Sequence, residues 1–187
     1  MAQRFGAISD TLKTFILEQK IYFVGTAAAQ GRVNISPKGM DSFRVLDANR
    51  ILWLNVTGSG NETAAHLQED PRMTIMFCAF EGKPMILRLY GEARTIYPED
   101  EPWEMLAAQF EPLLPGARQI IDMKVDLVQT SCGMGVPFMD YSGEREALND
   151  WAKKKGDAGI QAYWEEKNQQ SIDGKLVRIG KRATGDD

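Results

Sequence analysis

At 187 residues the chain has the length of one domain, and a domain of that size can bury about 70% of its unfolded surface without disulfides or metal. Acidic residues outnumber basic ones 26 to 22, for a net charge of −4, which excludes a general nucleic-acid binder because phosphate neutralisation needs a basic surface. Two cysteines and one histidine nearly exclude a histidine- or cysteine-built metal centre, and the apolar runs are too short for a membrane span. The N-terminal residues show no basic segment leading into an apolar stretch, so the expectation is a cytoplasmic protein without a signal peptide. The two sequons, Asn55-Val-Thr57 and Asn61-Glu-Thr63, then read as polar residues with another task.

In chain order, Ile8, Leu12, Phe15 and Ile16 share one helical face, and Ser9 or Asp10 can cap it, predicting an amphipathic helix over residues 9–20. Strand signals follow over residues 21–27, 32–36, 43–46 and 51–56, separated by turn residues at the close spacing of an antiparallel meander. Residues 61–69 read as a short helix stopped by Asp70-Pro71. Residues 73–80 are apolar on both faces, as a central strand would be. Residues 85–96 form a long strand with Arg88, Glu92 and Arg94 on one face and Leu87, Leu89, Gly91 and Ala93 on the other. Residues 98–110 read as a helix whose acidic start, Glu99-Asp100-Glu101, suits the helix dipole. Residues 119–130 alternate, with Ile121, Met123, Val125 and Leu127 inward and Asp122, Lys124 and Asp126 outward. The glycine-rich loop 131–137 leads into polar helices over residues 143–155 and 157–168, and the tail after Ser171 is expected to fray. The fold class is therefore mainly β, α+β: an antiparallel barrel of six to seven strands with peripheral helices. A parallel sheet is disfavoured because the connections are too short for crossovers.

Four places could carry chemistry. The run Trp53-Leu54-Asn55-Val56-Thr57-Gly58-Ser59-Gly60-Asn61-Glu62-Thr63 is a strand, a glycine turn and a helix start. That geometry offers backbone N–H groups and a helix dipole to an anion, or Ser59 or Asn61 simply caps the helix. The run Arg32-Val33-Asn34-Ile35-Ser36-Pro37-Lys38-Gly39 places Arg32, Asn34, Ser36 and Lys38 on one face, either as a polar binding face or as a solvated strand. Cys132, in its small-residue loop, is either a reactive thiol or, as favoured here, a buried small residue; Cys78 reads as core. His66 lies four residues after Glu62 and reads as a surface helix contact. Trp103, Trp151 and Trp164 read as packing anchors.

Taken in order, four segments resemble the pyridoxamine 5'-phosphate oxidase-like family of FMN-binding split barrels. They are Ile21-Tyr22-Phe23-Val24-Gly25-Thr26-Ala27, Gly31 to Gly39, Asn55 to Thr63, and Leu89-Tyr90-Gly91-Glu92-Ala93-Arg94. The resemblance implies a split-barrel domain over residues 1–140, with residues 141–187 as a helical extension and tail of the same domain. It implies a homodimer with FMN at the subunit interface and a flavin-dependent oxidoreductase of unspecified substrate. Cofactor-binding positions carried over are Arg32, Ser36, Lys38, Asn55, Thr57, Gly58, Ser59, Gly60, Asn61 and Thr63, with Lys38 or Arg32 as the cation at the flavin edge; no residue is carried over as catalytic. The chain departs from true pyridoxamine-phosphate oxidases in two places. Gly-Ser-Gly-Asn replaces their Arg-Lys pair, and the C-terminal Arg-Leu-X-Pro motif is missing. FMN phosphate would then fall to Lys38, hydroxyls and backbone amides. The alternatives are a flavin-binding or sensing protein with little turnover, or a barrel holding F420 or haem; a histidine-ligated haem would require His66.

Overall fold

The computed structural model describes residues 2–181. Within them, eight strands pair antiparallel throughout: β1 (Gln3–Phe5), β2 (Tyr22–Thr26), β3 (Asn34–Lys38), β4 (Phe43–Asp47), β5 (Arg50–Val56), β6 (Arg72–Cys78), β7 (Ile86–Ile96) and β8 (Ala117–Ser131). The helices are α1 (Asp10–Glu18), α2 (Glu62–Leu67), α3 (Trp103–Ala107) and α4 (Ala147–Lys167). The main path runs β3-β2-β6-β7-β8-β5-β4, with β1 added beside β8. Its end strands, β3 and β4, are consecutive in sequence, with only residues 39–42 between them. A flat sheet of seven strands would hold its ends about 29 Å apart, whereas that connection reaches at most about 19 Å. The sheet must therefore curl back on itself, and the expected split barrel results, with one more strand than the sequence predicts. That strand is β1, three exposed residues too few to show a period.

The barrel interior is filled from every strand of the path except the edge strand β3, including Val24, Val45, Ile51, Ile75, Leu87, Leu89, Met123 and Val128, and α1 adds Leu12 and Ile16. Ser9 caps α1 by accepting from the Leu12 N–H at 3.3 Å. A second apolar layer covers the outside of β5 and β8, where Leu52, Leu54 and Ile120 meet Trp103, Leu106 and Phe110. This sandwiching explains why β5 is apolar along nearly its whole length. Among the described residues no helix is long and apolar enough to cross a membrane.

Several local expectations are corrected. β3 runs through Pro37 to Lys38 rather than stopping at Ser36, because β3 is an edge strand and a proline there forfeits no ladder bond. β6 is central but alternates, with Met76 half-exposed on the outer face. In β8 the alternation slips at a bulge. Tyr90 pairs with Leu127 and Gly91 with Val125, so Asp126 is the extra residue, and Val128 takes the core place expected of Leu127. Gly91 is required there, since a Cβ would collide with the Lys124 carbonyl oxygen.

The helix expected over residues 98–110 shrinks to α3 and a 3-10 turn at Ala108–Phe110. Its acidic residues serve elsewhere: Asp100 accepts from the Tyr97 N–H, and Glu99 and Asp100 both pair with Arg178. The two helices expected near the C-terminus are the halves of α4, broken where Gly156 adopts φ 64°. The segment beyond Ser171 does not fray as far as it is described. Gln170 bridges to Leu176, and Val177 is buried against Ala64 and Ala65 of α2. The rest of that expectation, residues 182–187, lies outside the described residues.

Candidate functional site

The curl leaves a cleft between β3 and β5, capped by the loop of residues 57–61 and the start of α2. Alternation along β3 turns Asn34, Ser36 and Lys38 into it, while Ile35 and Pro37 face out. β5 contributes Trp53 and Asn55, and β8 contributes Arg118. The pocket encloses about 320 Å³, at the lower end of the range for small-molecule sites.

Arg118 reaches the pocket through a backbone irregularity. Asn55 pairs with Gln119 and Val56 with Ala117, so Arg118 is the extra residue of a bulge, a device that re-aims a side chain. It is only 3% exposed. Its Nη1 donates to Asn168 Oδ1 at 2.6 Å and its Nη2 to the Gly60 carbonyl at 3.1 Å, while Nε is buried without a partner among the described residues. Lys38 Nζ lies 4.9 Å from the centroid of the Trp53 ring. Among the described residues neither cation has a carboxylate partner. Glu62, the acid at the rim, is engaged by the Ile172 N–H at 3.0 and 3.2 Å.

Burial and the neighbouring Arg118 charge push the Lys38 pKa down to about 8. Burial likewise lowers Arg118, to about 10, which leaves the guanidinium charged at neutral pH. Two desolvated cations sharing one cavity are costly in isolation, and an anion between them would offset that cost. Apart from Trp53, Val56 and the rim acid Glu62, the rest of the wall is neutral and polar. Ser36 Oγ donates to Asn34 Oδ1 at 3.3 Å, Asn34 Nδ2 donates to Thr63 Oγ1 at 3.4 Å, and Asn55 Nδ2 donates to Gln119 Oε1 at 2.9 Å.

Of the residues singled out in the sequence, the structure gathers Ser36, Lys38, Asn55, Gly58, Ser59, Gly60, Asn61 and Thr63 around this pocket. Two fall outside it. Arg32 is exposed and ion-paired with Asp173, which also accepts its backbone N–H at 2.6 Å. Thr57 is buried beneath the loop, where Oγ1 donates to the Gly116 carbonyl at 2.7 Å and accepts from Trp164 Nε1 at 2.8 Å. The capping alternative for the loop is also corrected, because Asn61 makes no side-chain cap bond to α2. With six residues, α2 is too short to furnish an anion site of its own, so the cations carry that role.

His66 is not a surface contact. It is 1% exposed and its Nδ1 bonds Thr26 Oγ1 at 3.1 Å, tying α2 to β2. Cys132 is exposed rather than buried, whereas Cys78 is core as expected, with its thiol pKa raised by burial. Trp103 and Trp164 are buried anchors, and Trp151 stands edge-on to Tyr163 at 5.1 Å. Arg118 and Asn168 are the functional candidates that sequence reading passes over, and Trp53, which begins the loop run, is not carried over as a binding residue. The available signal for Arg118 was a lone cation at the head of an apolar strand, directly after the turn at Gly116.

A family model described as pyridoxamine 5'-phosphate oxidase matches residues 8–132. The pyridoxamine 5'-phosphate oxidase family protein ustO of Aspergillus flavus is 38% identical over 146 residues, covering 76% of this chain and 59% of that protein. The chain thus spans less than two thirds of the length of this curated relative. Among solved structures, HupZ from Group A Streptococcus has a TM-score of 0.54 at 21% identity, covering 64% of this chain and 91% of that one. HutZ of Vibrio cholerae, described as a heme storage protein, has a TM-score of 0.51 at 19% identity, covering 68% of this chain and 97% of that one. At these identities the structural likeness is one of fold.

Proposed function

The chain belongs to the pyridoxamine 5'-phosphate oxidase family, and from that premise we propose that it is an FMN-dependent oxidoreductase that works as a homodimer and holds the FMN phosphate between Lys38 and Arg118. The observation that carries this reading is the pair of desolvated cations, neither with a carboxylate partner among the described residues, in a pocket whose other walls are mainly amides and hydroxyls, the one lining acid, Glu62, being engaged by the Ile172 N–H. The residues fit the cofactor. The lysine ammonium, backed by the buried and uncompensated Arg118 guanidinium, suits a phosphate dianion. Ser36, Ser59, Asn55 and Asn61 offer neutral partners to hydroxyl and ring oxygens, and Trp53 gives an apolar surface beside the charge.

Bound FMN would supply hydride or electron transfer at its ring, and the protein's part is to bind, orient and tune. The pocket lining includes no thiol or imidazole among the described residues. A second copy is supported by the outer face beside β3, where Val33 and Ile35 are 68% and 70% exposed over a largely apolar hollow that also includes Phe23 and Met76. Haem held through histidine is the poorer reading, because His66 is buried within the α2–β2 contact.

The test is the visible spectrum of the purified protein and the mass of any released chromophore. A flavin spectrum with FMN released is the expected result. A colourless protein that also fails to take up added FMN would overturn the reading, and a released F420 or haem would replace the cofactor. Stopped-flow reduction by NADH or NADPH separates an enzyme from a flavin sensor, which should show no cycle.

A further inference from the structure

The internal wiring of the pocket ends on a residue beyond the 8–132 span matched by the family model. Asn168 closes α4 by donating its N–H to the Trp164 carbonyl at 2.9 Å, and it is fully buried. Its side-chain Oδ1 accepts from Arg118 Nη1 at 2.6 Å. Its Nδ2 donates to the carbonyls of Gly58 and Ser59 at 3.1 and 3.3 Å. One residue thus holds both the buried guanidinium and the glycine loop.

Its backbone carbonyl sets a direction as well. A carbonyl can only accept, so Asn61 turns Nδ2 toward it, at 3.3 Å, and presents Oδ1 the other way. Oδ1 accepts from Gln119 Nε2 at 3.2 Å, which leaves Gln119 Oε1 to accept from Asn55 Nδ2 at 2.9 Å. Amide orientation is ordinarily ambiguous between oxygen and nitrogen. Here a backbone carbonyl fixes it along a row of three side chains, and the row ends with Asn55 Oδ1 as an acceptor at the pocket wall.

We propose that Asn168 is the positioning residue of this pocket, aiming the Arg118 guanidinium at a ligand phosphate and setting the amide row so that Asn55 accepts a hydroxyl or N–H beside it. The inference rests on the FMN reading and deepens it: preference for a phosphorylated flavin over its unphosphorylated counterpart depends on the docked C-terminal segment. That segment is tied down beyond Asn168 by the Ile172 N–H to Glu62, by Val177 beneath α2, and by Arg178 to Glu99 and Asp100.

The experiment measures the affinity of FMN and of riboflavin, by flavin fluorescence, for the full chain and for Asn168→Asp and Asn168→Ser, with circular dichroism as the fold control. Asn168→Asp sets a carboxylate against Arg118, neutralises it, and forfeits the donations to Gly58 and Ser59. FMN affinity should fall at least about tenfold while riboflavin affinity changes less than about threefold, so the preference for FMN collapses. Asn168→Ser leaves the cation unneutralised and should keep part of the preference. It carries the test alone if the Asp variant does not fold, with a reduced preference expected. A merely structural role would weaken both flavins alike, and that outcome, or no loss at all, overturns the proposal. A wild type that binds neither flavin overturns the FMN reading beneath it, and this inference with it.

Discussion

Replacing Lys38 by Met should separate stability from binding. The ammonium is held in the pocket with a pKa of about 8, against 10.5 for an unburied lysine, chiefly by burial and secondarily by Arg118. At ~1.4 kcal/mol per pH unit, keeping it charged at neutral pH costs the fold about 3 kcal/mol. The contact with the Trp53 ring returns about 1 kcal/mol of this. Lys38→Met keeps the chain length and removes the charge, so the unliganded variant should gain about 2 kcal/mol. At roughly 2–4 °C per kcal/mol for a chain of this size, Tm should rise about 4–8 °C.

The sign follows from proton counting. Below pH 8 the lysine is protonated in both the folded and the unfolded chain, and its cost is fully present. Between about pH 8 and 10.5 the unfolded chain binds a proton that the fold has released, so wild-type stability gains from this group as pH rises. The Met variant lacks that gain. Binding should move the other way: loss of a charge-assisted bond to phosphate is worth about 1.5–3 kcal/mol, or a ten- to 150-fold weaker Kd for FMN. Thermal unfolding without ligand on either side of pH 8, together with FMN titration, tests both halves. A variant that is less stable than wild type and binds FMN equally well would refute the argument.

The same titration makes wild-type FMN affinity fall as pH rises through about 8, and isothermal titration should find that limb absent in Lys38→Met. Arg32→Ala should alter FMN affinity by less than about fivefold, since the side chain is exposed and paired outside the pocket; a larger loss in the same titration would return Arg32 to the site. His66→Gln should leave any bound chromophore in place, and loss of a haem band in its absorption spectrum would argue for the rival cofactor. Gly91→Ala should cost about 2–4 kcal/mol in urea unfolding, because the new Cβ meets the Lys124 backbone at the bulge.

The strands were legible where one face is buried and the other is not, as in β7, because a period of two survives in the residue types themselves. The pocket face of β3 was legible for the same reason: Asn34, Ser36 and Lys38 alternate with Ile35 and Pro37. Reading failed where the backbone breaks its own period. The bulge at Asp126 exchanges Val128 for Leu127 in the core, and β1 is too short to show a pattern. The buried place of His66 was also hidden, since its partner Thr26 lies forty residues earlier on another element.

The cations of the site divide along the same line. Lys38 is announced by its strand, whereas Arg118 enters through a bulge and is held by an asparagine fifty residues further on. The local mark of Arg118, a cation at the head of an apolar strand, is weak, and Asn168 has none: an arginine after a turn and an asparagine ending a polar helix are both ordinary. Their meaning comes from burial, because a guanidinium with an unpartnered Nε at 3% exposure is costly unless something answers its charge. Asn168 meets part of its hydrogen-bonding need but cannot neutralise it. That residual charge, set across one cavity from the desolvated Lys38, is the physical reason to expect an anionic ligand here, and it stands independently of the family resemblance.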